Sequence, residues 1–382
     1  MRVSKVTSYL VNAGPRKTCV FAKVETDDGL YGWGEGFARP DREQAIAGHV
    51  NAMSRYLVGR SPFTIKHFCQ VMYLDYAGKR RGYDFTTALS ALEQALWDIV
   101  GKAVGQPIYN LLGGACRSKI RVYANGWANG DDPPDVAARR AREMVDRGFT
   151  ALKWDPFPNP WRTYISRKQE NAAIESVRAV REAVGAEVDL LIEVHRRLAP
   201  THALRVAEAI ERYDPFWYEE PTHTENLDNV AAMRRRTRMP VVVGEDLYSK
   251  AEFRQVFEKQ AADIINPDVA TVGGILELKE IAAMAEPYDV VVSPHGAGVL
   301  ISLAATIQAS AVMPNFLITD YYVPTEEFAA EVMRPPFTVK DSYIELPTGP
   351  GLGVDLDERA LARHPYAPLP ARTLRRYSDE GP

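Results

Sequence analysis

The chain has 382 residues, a formal net charge of −4 and 46% apolar residues. This length exceeds what one compact core usually organises and predicts two domains, and the slightly acidic balance argues against nucleic acid or an anionic membrane as a partner. The three cysteines (Cys19, Cys69 and Cys116) lack CxxC spacing and give neither a disulfide framework nor a zinc motif. The first residues lack the apolar region of a secretory leader, and no apolar run reaches membrane-spanning length, so we expect a cytoplasmic protein.

The first part of the chain predicts an α+β domain. Residues 3–10 alternate in polarity, and Asp27-Asp28-Gly29 separates two β-rich runs in the pattern of a hairpin. A basic and aromatic loop, 78–85, precedes the strongest helical run, which Gly105 and Pro107 close. The predicted helices cover 42–57, 65–74 and 86–104.

From Lys119 onward, short β-rich runs alternate with amphipathic helical segments. Several of the runs are apolar without alternation, as expected for parallel strands that are buried on both faces. Eight such units fit a TIM-type (β/α) barrel; the doubly wound open sheet is the alternative, disfavoured because no Gly-rich phosphate loop follows the first strand. We therefore expect a capping domain over 1–118, a barrel over 119–338 and a segment, 339–382, that returns to the capping domain. The predicted strands cover 120–124, 151–155, 189–195, 216–220, 241–245, 263–268, 289–295 and 315–320.

Three acidic residues, Glu193, Glu219 and Glu245, each end a predicted strand, and 26 residues separate each from the next. In a parallel barrel these strand ends share one face, where active sites lie. Converging carboxylates repel one another unless a cation neutralises them, and oxygen ligands of this kind suit Mg²⁺. Three unrelated, solvated acids are the alternative. The matching register favours a metal site.

Other predicted strands also end in polar residues: Lys153 and Asp155, Asp268, His295, and Asp320. Asp268 and His295 end neighbouring strands, so the carboxylate would orient the imidazole as a general base. Lys153 and Asp155 share a strand face, which allows a salt bridge between them. Lys153 would otherwise abstract a proton, donate to a substrate oxygen or form a Schiff base, although a carboxylate metal site argues against iminium chemistry.

His195 lies two residues after Glu193, so both are expected to face the barrel mouth. It has no obvious carboxylate partner in the pattern. Of the seven histidines, His195 and His295 are the two at predicted strand ends. The general alternative is a histidine whose ring is hydrogen-bonded for structural reasons only. We expect this structural role for the other five histidines.

Two long stretches are similar to a known family. Residues 88–113 follow the amino-terminal signature of the mandelate racemase/muconate lactonizing branch of the enolase superfamily, and the ordered run IEVH…WYEEP…GED…PDVATVGG…SPH resembles its barrel. The resemblance covers nearly the whole chain. It implies a capped barrel, one Mg²⁺ held by Glu193, Glu219 and Glu245, and the base dyad Asp268–His295. It also implies a Lys or His base with Mg²⁺ stabilising an ene-diolate.

Within that family, His195 and the run HRRLAP resemble the galactonate- and mannonate-type acid-sugar dehydratases. Two positions depart from the family pattern: Lys153-Trp154-Asp155 replaces the frequent Lys-x-Lys, and Glu193 replaces the common Asp. The first departure weakens a lysine-base racemase, and the second lengthens one ligand by a methylene. Asp320 stands where those relatives often carry Glu.

These observations predict a Mg²⁺-dependent acid-sugar dehydratase, a hydro-lyase that removes the α-proton and the β-hydroxyl to give a 2-keto-3-deoxy acid. His295 would abstract the proton and His195 would protonate the leaving group. Expected substrate contacts are Asp155, Asp320, Arg81 and Tyr83, with Arg80 and Arg81 facing either a second carboxylate or solvent. An epimerase, racemase or cycloisomerase using the same enolate, and a non-catalytic metal-binding paralogue, are the alternatives. We expect a sugar acid as ligand and a homo-oligomer as the assembly.

Overall fold

A computed structural model describes residues 1–14, 17–79, 81–159, 161–296 and 298–370. The amino-terminal domain places an antiparallel sheet against a helical layer. The sheet order is β1-β2-β3, and the long helix α3 packs on β3. Gly34 permits this close approach, because a Cβ there would lie 1.7 Å from the carbonyl oxygen of Ala91. The elements are β1 Val3–Asn12, β2 Thr18–Thr26, β3 Tyr31–Phe37, α1 Glu43–Leu57, α2 Ile65–Val71, a π-helical turn Met72–Tyr76, α3 Tyr83–Val104 and α4 Ile108–Leu111.

The second domain is a parallel (β/α) barrel. In the described part of the chain, eight parallel strands follow in sequence order around the ring. Their helices are α5 Pro134–Asp146, α6 Arg167–Val184, α7 Pro200–Ile210, α8 Leu227–Arg234, α9 Lys250–Glu258, α10 Ile275–Ala285, α11 Ile301–Ser310 and α12 Glu326–Val332. The strands are β4 Lys119–Asn125, β5 Ala151–Trp154, β6 Asp189–Glu193, β7 Trp217–Glu219, β8 Val241–Val243, β9 Ile264–Ile265, β10 Val291–Val292 and β11 Thr319–Tyr322.

The ring is closed between β10 and the residues that lead into β11. Val292 and Phe316 form a parallel bridge, and the amide of Leu317 donates to the carbonyl of Val292 at 2.9 Å. β11 then pairs with β4. Buried side chains fill the interior, as in other barrels of this type: Tyr123, Ala151, Leu191, Trp217, Val242, Ile264 and Ile318. The predicted fold class is confirmed.

The carboxyl-terminal segment contacts both domains. In that segment, β13 (Tyr343–Glu345) pairs antiparallel with barrel strand β4, while β12 (Met333–Arg334) pairs with β14 (Asp355–Leu356). Asp355 accepts hydrogen bonds from Tyr31 and Trp33 of the first domain, and α13 (Glu358–Leu361) places Glu358 against Tyr9. The segment therefore ties the barrel to the sheet of the capping domain.

Several strands end earlier than the sequence predicts. β6 ends at Glu193 and β8 at Val243, while the regular parts of β9 and β10 are two residues each. The polar residues after them therefore lie in strand-to-helix loops and are not part of the pleat. No described helix is both long enough and apolar enough to cross a membrane.

Candidate active site

Three buried carboxylates converge at the carboxyl ends of β6, β7 and β8. One oxygen from each of Glu193, Glu219 and Glu245 lies within 4.8 Å of the others. Side-chain exposure is 1%, 1% and 6%. Glu219 also accepts hydrogen bonds from Asn266 and Trp217, both at 2.9 Å. Burial, together with repulsion from Glu193, raises the pKa of Glu219 well above its usual value.

The backbone after these strands turns sharply. His195, Arg196 and Glu220 have φ values of 53°, 62° and 46°, a region that non-glycine residues rarely occupy. Oε1 of Glu193 stabilises the first turn, accepting from the amides of Val194 at 3.0 Å and His195 at 2.6 Å. Such conformations cost on the order of 1–3 kcal/mol each and concentrate at functional sites.

Two cations neutralise the carboxylates. Nζ of Lys153 lies 2.6 Å from Glu219, 3.3 Å from Glu193 and 3.9 Å from Asp320. The alternative salt bridge between Lys153 and Asp155 is therefore wrong. Burial alone would lower the pKa of Lys153, but Glu219 and Glu193 raise it well above its usual value, so the side chain is a charged donor.

Arg196 is the second cation. Nη1 lies 2.5 Å from Oε1 of Glu245, and Nε lies 3.3 Å from Asp246. Burial alone would raise the pKa of Glu245, but Arg196 and His295 hold it well below its usual range. Glu220 diverges from Glu219, as expected for adjacent residues, and accepts from the amide of Gly244 at 2.8 Å.

His295 and Asp268 form the predicted pair. Nδ1 of His295 lies 2.8 Å from Oδ2 of Asp268, and the two residues form a parallel backbone bridge. Nε2 of His295 lies 3.2 Å from Oε2 of Glu245 without the alignment of a hydrogen bond. The free nitrogen of the imidazole therefore faces the carboxylate cluster.

His195 has a carboxylate partner, which corrects the expectation that it lacks one. Nδ1 lies 2.7 Å from Oδ2 of Asp155, just beyond the end of β5. His195 follows β6 and Asp155 follows β5, so the pair joins adjacent strand ends. Because β6 and β10 are separated by four steps in a ring of eight described strands, the two imidazoles lie on opposite sides of the barrel.

The sequence analysis missed the surroundings of His195. The ring of Trp161 stacks on the imidazole with centroids 5.1 Å apart and planes 25° apart. The buried guanidinium of Arg197 lies 5.2 Å from the Trp161 ring and hydrogen bonds to Asp155. Two arginines directly after a predicted metal ligand and histidine were the signal that could have pointed to this cluster.

The remaining predicted substrate residues occupy different places. Asp320 is buried on β11, where its Oδ2 accepts from the side-chain Nδ2 of Asn125 at 2.9 Å. Tyr83 donates to the carbonyl of Phe37, whose ring lies 6.3 Å from that of His295. Arg81 is 3.2 Å from the Tyr248 carbonyl and 3.4 Å from Glu277, on the side of α10. Arg80 lies outside the described residues. Substrate contact stays a prediction for Asp155, Asp320, Arg81 and Tyr83.

Two further cations of the capping domain lie near the mouth. Nζ of Lys17 is 4.2 Å from the centre of the Phe37 ring and 5.6 Å from that of Tyr322 at the end of β11. Arg39 contacts Asp246 at 2.8 Å. The sequence analysis did not select them, because loops between strands of the capping domain carry no pattern that places them over the barrel.

Comparison with known families decides the relationship. The family model of the mandelate racemase/muconate lactonizing enzyme amino-terminal domain matches residues 9–113, and that of the enolase C-terminal domain-like family matches residues 136–360. The chain belongs to the mandelate racemase/muconate lactonizing enzyme family of the enolase superfamily. Members of this superfamily generally bind a divalent metal. In this family member, the buried triad Glu193, Glu219 and Glu245 is the candidate site for it.

Similar members of the family are dehydratases, and dehydratases are hydro-lyases. The chain is 34% identical to D-galactonate dehydratase of Ralstonia pickettii, covering 99% of this chain and 98% of that one. It is 35% identical to D-gluconate dehydratase of Thermoproteus tenax, covering 91% and 70%. A crystal structure of a mandelate racemase/muconate lactonizing enzyme-like protein from Rubrobacter xylanophilus superposes with a TM-score of 0.88 at 32% identity, covering 97% and 98%. The predicted family and its hydro-lyase class are confirmed.

Proposed function

We propose that this protein is a Mg²⁺-dependent acid-sugar dehydratase that converts a sugar acid into a 2-keto-3-deoxy acid. One observation carries the proposal. His195 and His295 follow the carboxyl ends of two strands on opposite sides of the barrel, and each imidazole is hydrogen-bonded to its own carboxylate. Loss of water needs a base for the α-proton and an acid for the departing hydroxyl. A pair of histidines on either side of a carboxylate cluster supplies both.

The residues at the centre fit a magnesium ion. Three carboxylates offer oxygens within 4.8 Å of one another, and Oε2 of Glu245 is buried without a hydrogen-bond partner among the described residues. Mg²⁺ prefers hard oxygen ligands and usually keeps several waters. When bound by Glu193, Glu219 and Glu245, it would supply positive charge that stabilises the negative charge developing on the substrate carboxylate.

The chain's own residues would perform the proton transfers. His295, oriented by Asp268, accepts the α-proton through Nε2, and His195 donates a proton to the hydroxyl that leaves the β-carbon. Lys153 carries its charge beside Glu219 and Glu193, from where it can donate to a substrate carboxylate oxygen. Names of relatives support this class of substrate, because they specify D-galactonate and D-gluconate. The homo-oligomer and the cytoplasmic location remain predictions.

The test is a screen of acid sugars for loss of water. The purified protein with Mg²⁺ is incubated with D-gluconate, D-galactonate, D-mannonate and related acids, and the 2-keto acid is trapped and measured. We expect 2-keto acid from at least one of them, and none from a His195→Asn/His295→Asn variant. A product with an inverted α-carbon and no keto acid would indicate the epimerase alternative. A folded, metal-binding protein inactive on the whole panel would support the non-catalytic paralogue and contradict the proposal.

A further inference from the structure

We propose that Asp155 is a positioning residue for His195, held in its orientation by Arg197 and the backbone amide of Phe157, and that this role replaces the substrate contact predicted for it. This inference rests on the proposed dehydratase function. Oδ2 of Asp155 lies 2.7 Å from Nδ1 of His195, and Oδ1 accepts from Arg197 and, at 2.9 Å, from the amide of Phe157. Both oxygens of the carboxylate therefore have a partner.

Arg197 is built into this position. Its side chain is 3% exposed, and the same nitrogen that binds Asp155 also donates to the carbonyl of Phe157 at 3.0 Å. The rings of Phe157 and Trp161 lie 5.3 and 5.2 Å from the guanidinium carbon. Because arginine only donates hydrogen bonds, the atom of residue 155 that faces it must be an acceptor. That requirement leaves the other carboxylate oxygen directed at His195.

The orientation fixes which nitrogen of His195 performs chemistry. A carboxylate oxygen accepts a hydrogen bond, so Nδ1 carries a proton toward Asp155, and Nε2 is left as the nitrogen that can meet a substrate. Trp161 stacks on the ring face and restricts rotation of the imidazole. Asp155 therefore fixes the imidazole of His195 through Nδ1, and Trp161 fixes it by stacking. Asp268 fixes the imidazole of His295 through Nδ1 in the same way.

The step that this arrangement serves is the second half of the elimination. The bond between the β-carbon and its hydroxyl oxygen breaks, and both electrons stay with the oxygen. That oxygen takes the proton from Nε2 of His195 and leaves as water. The electron pair left by removal of the α-proton forms the new carbon–carbon double bond, and the resulting enol tautomerises to the 2-keto acid by losing its hydroxyl proton and gaining a proton at the β-carbon. His295 then releases the α-proton to solvent and His195 takes one up, so both imidazoles return to their starting states and no oxidant or reductant is required.

The informative substitution is Asp155→Asn. Arg197 and the backbone amide of Phe157, which both donate, would require the amide oxygen to face them, so the amide NH₂ group would face Nδ1 of His195, which must then accept. The proton would move to Nε2 in the neutral ring, and the doubly protonated ring needed as an acid would face a donor. In D₂O, we expect elimination to fall by about 10²-fold or more, while deuterium still enters the α-position within roughly threefold of the wild-type rate.

A second variant protects against an artefact from the unpaired charge of Arg197. Asp155→Asn/Arg197→Met removes both members of the buried pair, while the amide of Phe157 still donates to the side-chain oxygen that faces it. We expect elimination to remain as low as in Asp155→Asn alone, and recovery to the wild-type rate would contradict the inference. The matched control is Asp189→Asn, which removes a carboxylate paired with Arg121 at 2.7 Å at the opposite end of the barrel and should leave both rates unchanged.

A readout without substrate or metal is available from nuclear magnetic resonance. In ¹⁵N-histidine-labelled protein, two-bond proton–nitrogen correlations report which ring nitrogen carries hydrogen, and His195 is assigned by its loss in His195→Asn. At a pH where the ring is neutral, we expect an Nδ1–H pattern in the wild type and an Nε2–H pattern in Asp155→Asn. Equal losses of exchange and elimination in Asp155→Asn, or an unchanged tautomer pattern, would overturn the inference. A wild-type protein that neither exchanges nor eliminates any sugar acid would instead overturn the proposed function.

Discussion

Oε2 of Glu35, in the capping domain, accepts hydrogen bonds from both the amide and the hydroxyl of Ser302 in barrel helix α11, at 3.0 and 3.1 Å. The other oxygen accepts from the amide of Val299 at 2.9 Å. Glu93, also in the capping domain, binds the amides of Ile275 and Leu276 at the start of α10. Carboxylates at helix amino termini satisfy free amides and complement the helix dipole. The cap is thus joined to the helices that follow the strands of Asp268 and His295.

Replacement of Glu35 by glutamine should destabilise the docked cap. The amide NH₂ group would face backbone donors in a buried site, and buried unsatisfied groups cost about 1–3 kcal/mol each. We expect the free energy of unfolding in urea to fall by about that amount. Glu25→Gln, at a half-buried glutamate of β2 paired with Lys5, is the control and should change stability by less than about 0.5 kcal/mol. Equal stability of both variants would contradict the docking role of Glu35.

The carboxyl group of Glu93 should make stability depend on pH. Burial raises the pKa of Glu93 from 4.5 to about 7, against hydrogen bonds that lower it. Since the folded pKa lies above the unfolded one, the folded state binds the proton more tightly, and this stabilisation is present below about pH 4.5 and lost as pH rises through about 7. The loss amounts to about 3 kcal/mol.

Glu93→Gln removes this titration. We expect the difference in unfolding free energy between wild type and variant to shift in favour of the variant between pH 5 and pH 8. Chemical denaturation at several pH values in that interval measures it. Parallel stability curves for the two proteins would show that Glu93 has the same pKa in the folded and unfolded states.

Metal binding should depend on the carboxylate triad. Glu219→Gln replaces a ligand by a neutral amide of nearly the same shape, and calorimetric titration should show Mg²⁺ affinity lowered by at least about 10-fold. Asp189→Asn, at the far end of the strand that carries Glu193, should bind Mg²⁺ as the wild type does. Removal of the metal with a chelator should abolish dehydration, and added Mg²⁺ should restore it. A crystal soaked in Mg²⁺ with the ion elsewhere would refute the assignment.

Experiments in deuterated solvent should distinguish the roles of the two histidines. A His195→Asn variant should wash deuterium into the α-position without losing water, because abstraction needs only the base. A His295→Asn variant should do neither. Mass spectrometry of recovered substrate and trapped keto acid measures both. Exchange that survives in His295→Asn and vanishes in Lys153→Met would make Lys153 the base.

Much of the site could be predicted because barrel strands repeat at nearly constant length. A spacing of 26 residues placed three carboxylates at matching strand ends, and adjacent strands placed Asp268 beside His295. The alternation that placed His195 near Glu193 relied on a strand that ends at Glu193. His195 itself lies in a left-handed turn after that strand, and this turn directs its ring toward Asp155. The partner of His195 could therefore not be predicted from strand alternation. Such turns depend on tertiary hydrogen bonds that residue spacing does not contain.

The two imidazoles are supported by different parts of the chain. Cap carboxylates hold the helices that follow the strands of Asp268 and His295, while the loop carrying Trp161 over His195 is anchored on the barrel, where Asn159 binds Asp131 and Thr163 binds Ala199. The residues that support proton abstraction and those that support departure of the hydroxyl can therefore be varied independently. A library confined to residues 156–165 can alter which configuration at the β-carbon is accepted without disturbing the docked cap, and one confined to cap loops can alter substrate fit without disturbing the acid. Enzyme engineering can therefore target two separate regions of the fold while the enolate chemistry is kept.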